Sequence, residues 1–236
     1  MKIAAIYDIH GNLPALEAVL NEIERERVDL ILVGGDVAAG PMPRATIERL
    51  MSLGNKAQYI RGNGDRYLID CFDGVEMDPR TSSTSRLVQG WVARQIEQKH
   101  RDFVASFAVQ AILPVEGLGT VLFCHGSPRS DVEGITTTTS EMELQEMLAG
   151  IRQDVVVCGH MHVQFERSFE GKQVVNAGSV GLPYAGEPGA YWALLGPSIL
   201  LRRTSYDIAK AAASFHSSGF PLLQDFSAQN LLHPNQ

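Results

Sequence analysis

A chain of 236 residues with 44% hydrophobic and 20% charged content can bury a sizeable core, and length alone allows one large domain or two small ones. A net charge of −7 without any Lys/Arg tract argues against nucleic acid or an anionic membrane as the main partner. The three cysteines, Cys71, Cys124 and Cys158, are widely spaced and form no Cys-x-x-Cys pair, which fits a reducing compartment rather than a disulfide framework. The apolar run before Asp8 is too short for a signal peptide, and no run reaches the length of a membrane span, so the default location is cytoplasmic.

Lys2 to Tyr7 reads as a buried strand and Leu13 to Glu26 as a helix. Between them lies Asp8-Ile9-His10-Gly11-Asn12. If this segment leaves the strand extended, alternation puts Asp8 and His10 on one side. They then stand at the carboxyl end of a strand, where open α/β sheets usually bind ligands. Alone, the pair has a plainer reading: an Asp that caps the next helix and a His at the surface.

Asp29 to Val33 reads as a second strand, ending in Gly34-Gly35-Asp36-Val37. Gly40-Pro41-Met42-Pro43 breaks the chain before a short helix over Arg44 to Leu53. Ala57 to Ile60 is the third strand, ending in Arg61-Gly62-Asn63-Gly64-Asp65. This β-α-β-α-β order predicts a mostly parallel sheet. Ser83 to Gln98 then reads as one helix and Arg101 to Phe107 as a second. His100 lies in the charged connection Lys99-His100-Arg101 and reads as solvated.

The second half is richer in strands. Gln110 to Val115 and Thr120 to Phe123 form a hairpin around Glu116-Gly117-Leu118-Gly119, closed by Cys124-His125-Gly126-Ser127-Pro128. A polar loop follows from Arg129 to Thr139, and Ser140-x-x-Glu143 opens a helix to about Leu148 as a capping box. Asp154 to Val157 is a buried strand ending in Gly159-His160-Met161-His162. Two more hairpins pair Val163 to Phe169 with Lys172 to Val175, and Tyr191 to Leu195 with Ser198 to Arg203. A last helix, Asp207 to Ser217, leads into a weakly patterned tail. Cys124 and Cys158 sit in apolar runs and read as small buried residues. His216 and His233 have no partners in sequence and read as incidental.

Five strand ends therefore carry polar residues beside glycine: Asp8/His10, Asp36, Asn63, His125 and His160/His162. Carboxylate, amide and imidazole without thiolate suit Mn²⁺, Fe, Zn²⁺ or Ni²⁺ better than Ca²⁺ or a structural zinc. Seven ligands exceed the needs of one ion; two ions about 3.5–4 Å apart that share a carboxylate fit better.

Through Asp8-x-His10, Gly35-Asp36, Gly62-Asn63-x-Asp65, His125 and Gly159-His160-x-His162, in that order, the chain resembles the calcineurin-like metallophosphoesterases. The resemblance covers nearly the whole chain. It implies one domain over residues 1–236, an α/β fold of two packed mixed sheets flanked by helices (an αββα sandwich). It also implies two divalent transition metals, with Mn²⁺ the first choice. Asp8, His10, Asp36 and His162 would hold one ion; Asp36, Asn63, His125 and His160 the other, with Asp36 as bridge. A hydroxide between the ions would attack phosphorus in line.

Many relatives carry a His after Gly-Asn that serves as general acid; here Gly64 stands in its place. A smaller bacterial and archaeal subgroup, including stand-alone phosphodiesterases, also lacks it. Symmetrical dinucleoside tetraphosphatases fit less well, because their Gly-Asp-x-Val-Asp-Arg-Gly block is absent. The expected activity is a phosphodiesterase acting on nucleotides or other small molecules, with a preference for leaving groups that are stable as anions. The alternatives are a protein or phosphomonoester phosphatase and a non-catalytic scaffold of the same fold. Arg61, Arg66 and Arg129 are candidate phosphate contacts, each equally readable as a surface or ion-pair residue. Asn12 and Asn176 read either as partners of the ligands or as turn residues, and Thr136 to Thr139 as a polar loop or the substrate mouth. A homo-oligomer is left open.

Overall fold

The computed structural model describes residues 1–227. In chain order the strands are β1 (Ile3–Ile6), β2 (Leu30–Val33), β3 (Ala57–Tyr59), β4 (Ala111–Val115), β5 (Gly119–Phe123), β6 (Val155–Cys158), β7 (Phe165–Phe169), β8 (Lys172–Asn176), β9 (Ala190–Leu195) and β10 (Ile199–Thr204). The helices are α1 (Leu13–Glu26), α2 (Pro43–Met51), α3 (Asn63–Phe72), α4 (Ser83–Ala93), α5 (Gln98–Ala105), α6 (Glu141–Met147), α7 (Ile208–Phe215) and α8 (Leu223–Ser227).

The strands form two mixed five-stranded sheets, in the orders β10-β9-β1-β2-β3 and β4-β5-β6-β8-β7. Alternation along each strand assigns its side chains to layers. Ile3, Ala5 and Tyr7 of the first sheet meet Val121, Phe123, Val155 and Val157 of the second in a shared apolar layer. Their neighbours point the other way. Ala4 and Ile6 pack under α1 with Leu16, Val19 and Ile23. Leu122, Val156 and Cys158 pack under α6 with Leu144 and Met147. The result is the expected αββα sandwich. Each fully buried Val, Leu or Ile contributes about 1.5–3 kcal/mol.

In the first sheet β1, β2 and β3 run parallel, and in the second β5, β6 and β8 do. Their carboxyl ends meet at one rim of the sandwich. The Tyr7 hydroxyl donates to the Val157 carbonyl across the sheets at 3.2 Å, just below that rim.

Four sequence expectations change here. The helix expected over Ser83 to Gln98 ends at Ala93, and the extended Glu97 caps the next one. The amide of Glu97 donates to His100 Nδ1 at 3.0 Å, and His100 Nε2 faces Glu48 at 3.2 Å. His100 is thus fully buried rather than solvated. The second helix accordingly starts at Gln98, earlier than Arg101. Finally, residues after Asn63 form α3, where the sequence showed only a strand end. Phe220 and Phe226 of the weakly patterned tail are buried. His216 is exposed, and His233 lies outside the described residues.

Candidate metal centre

All seven candidate residues meet at the shared rim. They do not get there by strand alternation. Asp8 and His10 have φ of 52° and 47°, so the segment leaving β1 is left-handed, not extended. Asp36, His160 and His162 are left-handed too, with φ of 53°, 65° and 58°. Non-glycine residues in this region each cost of order 1–3 kcal/mol, and such strain gathers at functional sites. The bent backbone is tied down. Asp8 N donates to the Gly35 carbonyl at 3.1 Å and His10 N to the Asp36 carbonyl at 3.0 Å. Ser179 Oγ donates to the Asp8 carbonyl at 2.7 Å.

Three imidazoles share one construction. His10 Nδ1 bonds the Ala39 carbonyl at 3.3 Å, His125 Nδ1 that of Gly34 at 2.8 Å, and His162 Nδ1 that of Leu182 at 2.7 Å. A carbonyl only accepts, so each Nδ1 carries the proton and each Nε2 is left with a lone pair. Those three Nε2 atoms all face Asp8 Oδ1, at 3.8, 3.9 and 3.4 Å respectively. His10 and His162 bring their Nε2 atoms within 3.1 Å of each other.

These are acceptors facing acceptors. Asp8 Oδ1 is buried and has no hydrogen-bond partner among the described residues, whereas Oδ2 accepts from the His160 amide at 2.8 Å. Asn63 Oδ1 lies 3.2 Å from His125 Nε2. Exchanging the ends of that amide would let its nitrogen donate to His125 Nε2 and to His160 Nδ1 at 3.0 Å; a cation between them satisfies the same atoms without the exchange. A cation also relieves the bare Asp8 oxygen and the opposed ring nitrogens, which the amide exchange leaves untouched. Within the cluster, Asp8, His10 and His162 form one group that could hold an ion, and Asp8, Asp36 and His125 a second. The donor set fits a divalent transition metal.

The electrostatics point the same way. Burial pushes the Asp8 carboxyl up, but His162, with His125 and His10 behind it, holds it below the usual range. Burial and the neighbouring His162 pull His10 down to about 4, and burial and His125 lower His160. For His125 burial is outweighed by the Asp36 and Asp8 charges, which raise it.

In the sequence Asp65 stands out only as part of a motif. Its Oδ2 accepts from the amides of Asp36 (2.8 Å) and Gly62 (2.9 Å), and its Oδ1 from Val37 (3.0 Å). Burial and the Asp36 charge push it up to about 7, against the amides of Gly62 and Val37. It clamps the end of β2 to the start of α3. The sequence signal was weak because the residue three positions before it is Gly62, which has no capping side chain.

Two glycines are required by close approach. A Cβ at Gly159 would lie 2.6 Å from Asp8 Oδ2, and one at Gly64 2.9 Å from Asp36 Oδ1. Gly64 also donates its amide to Asp36 Oδ1 at 2.7 Å. A histidine at this position would crowd the carboxylate.

The three candidate arginines separate. Arg66 makes a two-bond pair with Asp131 at 2.8 and 2.9 Å, and Arg129 pairs with Glu133. Arg61 has no side-chain partner among the described residues and lines a cavity of about 280 Å³ with His125 and Asp131. Asn12 caps α1 and donates to the Gly181 carbonyl; Asn176 donates to that of Gly159. Both hold backbone, not candidate side chains. Thr136 and Thr139 bond each other, and Arg167 bonds carbonyls of that loop. Cys124 and Cys158 are buried, as expected.

The family model of the calcineurin-like phosphoesterase superfamily domain matches residues 1–195. The chain belongs to that superfamily. By that membership it is a metal-dependent phosphoester hydrolase. A solved metallophosphoesterase from Sphaerobacter thermophilus is 27% identical and superposes with a TM-score of 0.76 over 97% of this chain and 98% of that one. An uncharacterized protein of Methanocaldococcus jannaschii is 26% identical over 89% of each chain. A symmetrical bis(5'-nucleosyl)-tetraphosphatase of Pectobacterium atrosepticum is 29% identical over 56% of this chain and 50% of its own length. The chain thus matches half of that relative. Among the described residues, no helix of this phosphoesterase is long and apolar enough to cross a membrane.

Proposed function

We propose that Asp8, His10, Asp36, Asn63, His125, His160 and His162 hold two divalent metal ions, Mn²⁺ first among them, and that the chain is one catalytic domain that hydrolyses small phosphodiesters, nucleotides included. The observation that carries this reading is the bare Asp8 Oδ1, buried and faced by three ring nitrogens that have no proton to give. The free thiols of Cys71, Cys124 and Cys158 fit a reducing, cytoplasmic setting.

When bound, such ions supply Lewis acidity toward phosphoryl oxygens and lower the pKa of the attacking water. The chain's own residues position. The carbonyls of Ala39, Gly34 and Leu182 fix the tautomer and aim of three imidazoles. Asp36 presents Oδ1 toward His125 at 3.6 Å and Oδ2 toward His10 at 3.9 Å, so its two oxygens serve the two sides of the cluster. Arg61, without a side-chain partner among the described residues, offers a cation to a phosphoryl oxygen. Gly64 supplies no proton, so leaving groups already stable as anions react best. This favours aryl and nucleotide diesters over alkyl monoesters. A scaffold role would not need seven converging side chains.

The deciding experiment is hydrolysis of aryl and nucleotide mono- and diesters by the Mn²⁺-loaded protein. Diester turnover that disappears on chelation supports the reading; inertness toward every ester rejects it.

Arg61→Ala is expected to raise KM by about 10–100-fold, the worth of one charged hydrogen bond, with Arg61→Lys between the two. An unchanged KM would remove Arg61 from the site.

Proton release checks the ligand set. The Asp36 and Asp8 charges raise His125, so as pH falls it takes up a proton on Nε2, and that proton must leave when metal binds. His10, at about 4, stays neutral down to weakly acidic pH. Metal affinity should therefore weaken as pH falls from 8 to 6, with protons released on binding. Titration calorimetry in buffers of different ionisation enthalpy measures this. Affinity independent of pH across that range would contradict it.

A further inference from the structure

On the side of Gly64 the centre opens into a cavity of about 410 Å³ that runs from Asp36 and Asn63 to α4 and the turn before α8. Because position 64 has no side chain, nothing divides the cavity from the centre. Apart from His10 and His162, none of the described residues lining it can be cationic. Tyr67, Val88, Leu182, Tyr184 and Phe220 supply rings and aliphatic surface. The cavity beyond His125 is different in kind: it carries Arg61, beside Asp131 and an Arg129 that is paired with Glu133. One centre thus lies between a ring-lined space and one that offers the Arg61 cation. A phosphodiester with two unlike arms fits that asymmetry.

Gln89 in the wall of the ring-lined cavity is the unexplained polar group. It is only 4% exposed, and its Oε1 is buried without a hydrogen-bond partner among the described residues. Native proteins rarely leave such an atom unmet. The terminal amide torsion of glutamine is soft, so a small turn presents both ends to the cavity. Glutamine makes a two-bond pair with adenine, accepting from the exocyclic amine and donating to the adjacent ring nitrogen. Tyr184, 41% exposed and tilted against His162 at 4.9 Å, offers an aromatic face beside the centre.

We propose that this cavity takes the nucleobase of a nucleotide-type phosphodiester and that Gln89 selects for an adenine-like edge, while the arm bearing further charge lies toward Arg61. The proposal rests on the phosphoesterase reading for the position of the phosphorus, but its base site can be measured without turnover.

The test is calorimetric titration of the purified full-length protein with adenosine and with purine riboside, which is the same nucleoside without the amine. Adenosine should bind about tenfold more tightly or better, and Gln89→Met should bring the two to within about threefold. Equal binding of both by the native protein, no adenosine binding at millimolar concentration, or undiminished discrimination in Gln89→Met would each overturn the proposal. If Gln89→Met does not fold, the native comparison decides. Hydrolysis of bis(4-nitrophenyl) phosphate, which has no base, tests the phosphoesterase reading separately. Its failure beside intact adenosine discrimination would sink that reading and not the base site.

Discussion

Asp36→Ala is expected to lower turnover by about 10²–10³-fold, the loss typical of removing one preorganised electrostatic contact, and to release metal from both sides of the cluster. The reason is its placement. One carboxylate oxygen faces His125 and the other faces His10, while Gly64 N–H fixes Oδ1 from behind. His162 offers a single Nε2, toward Asp8 and His10. His162→Ala should therefore weaken mainly one ion. Asp8 Oδ1 also touches both groups, so Asp8→Ala is expected to resemble Asp36→Ala. Elemental analysis together with kcat for the three variants separates these cases. An Asp36→Ala protein with two tightly held ions and normal turnover would end the bridging assignment.

Asp65→Ala should be the most damaging change to the frame. Three buried backbone amides, from Asp36, Val37 and Gly62, lose their acceptor at once. Each orphaned donor costs about 1–3 kcal/mol. Relaxation and water entry will recover part, leaving a loss of at least about 3 kcal/mol. Asp65→Asn keeps one oxygen for two of the three donors but turns an NH₂ group on the third, so it should lose about 1–3 kcal/mol. Urea unfolding of the chelated proteins reads this without reference to catalysis. Equal stability of native and Asp65→Ala would mean that the two segments are held by something else.

Much of this was legible in the sequence because it is local. Short apolar runs ending in glycine marked the strand ends, and the seven polar residues beside them were the ones that converge. The sandwich followed from the family resemblance and from strands in both halves. What stayed hidden depends on backbone angle or on distant partners. The left-handed turns at Asp8 and His10 leave no trace in hydrophobic periodicity, so convergence was expected for the wrong reason. Asn63-Gly64 looks like a turn and is the first turn of α3. His100 looks solvated among charges until α2 brings Glu48 against it. Arg66 and Asp131 are 65 residues apart, and only the fold shows that this arginine is taken. Gln89 is one polar residue in a helix, and nothing in the sequence marks it as buried.

The most direct test of the central claim is the anomalous scattering of crystals grown with Mn²⁺, recorded beside metal content in solution. Two Mn²⁺ peaks per chain are expected, both within the cluster of Asp8, His10, Asp36, Asn63, His125, His160 and His162, and a solution stoichiometry near two. A single peak at saturating metal, or ions bound away from these residues, would contradict it.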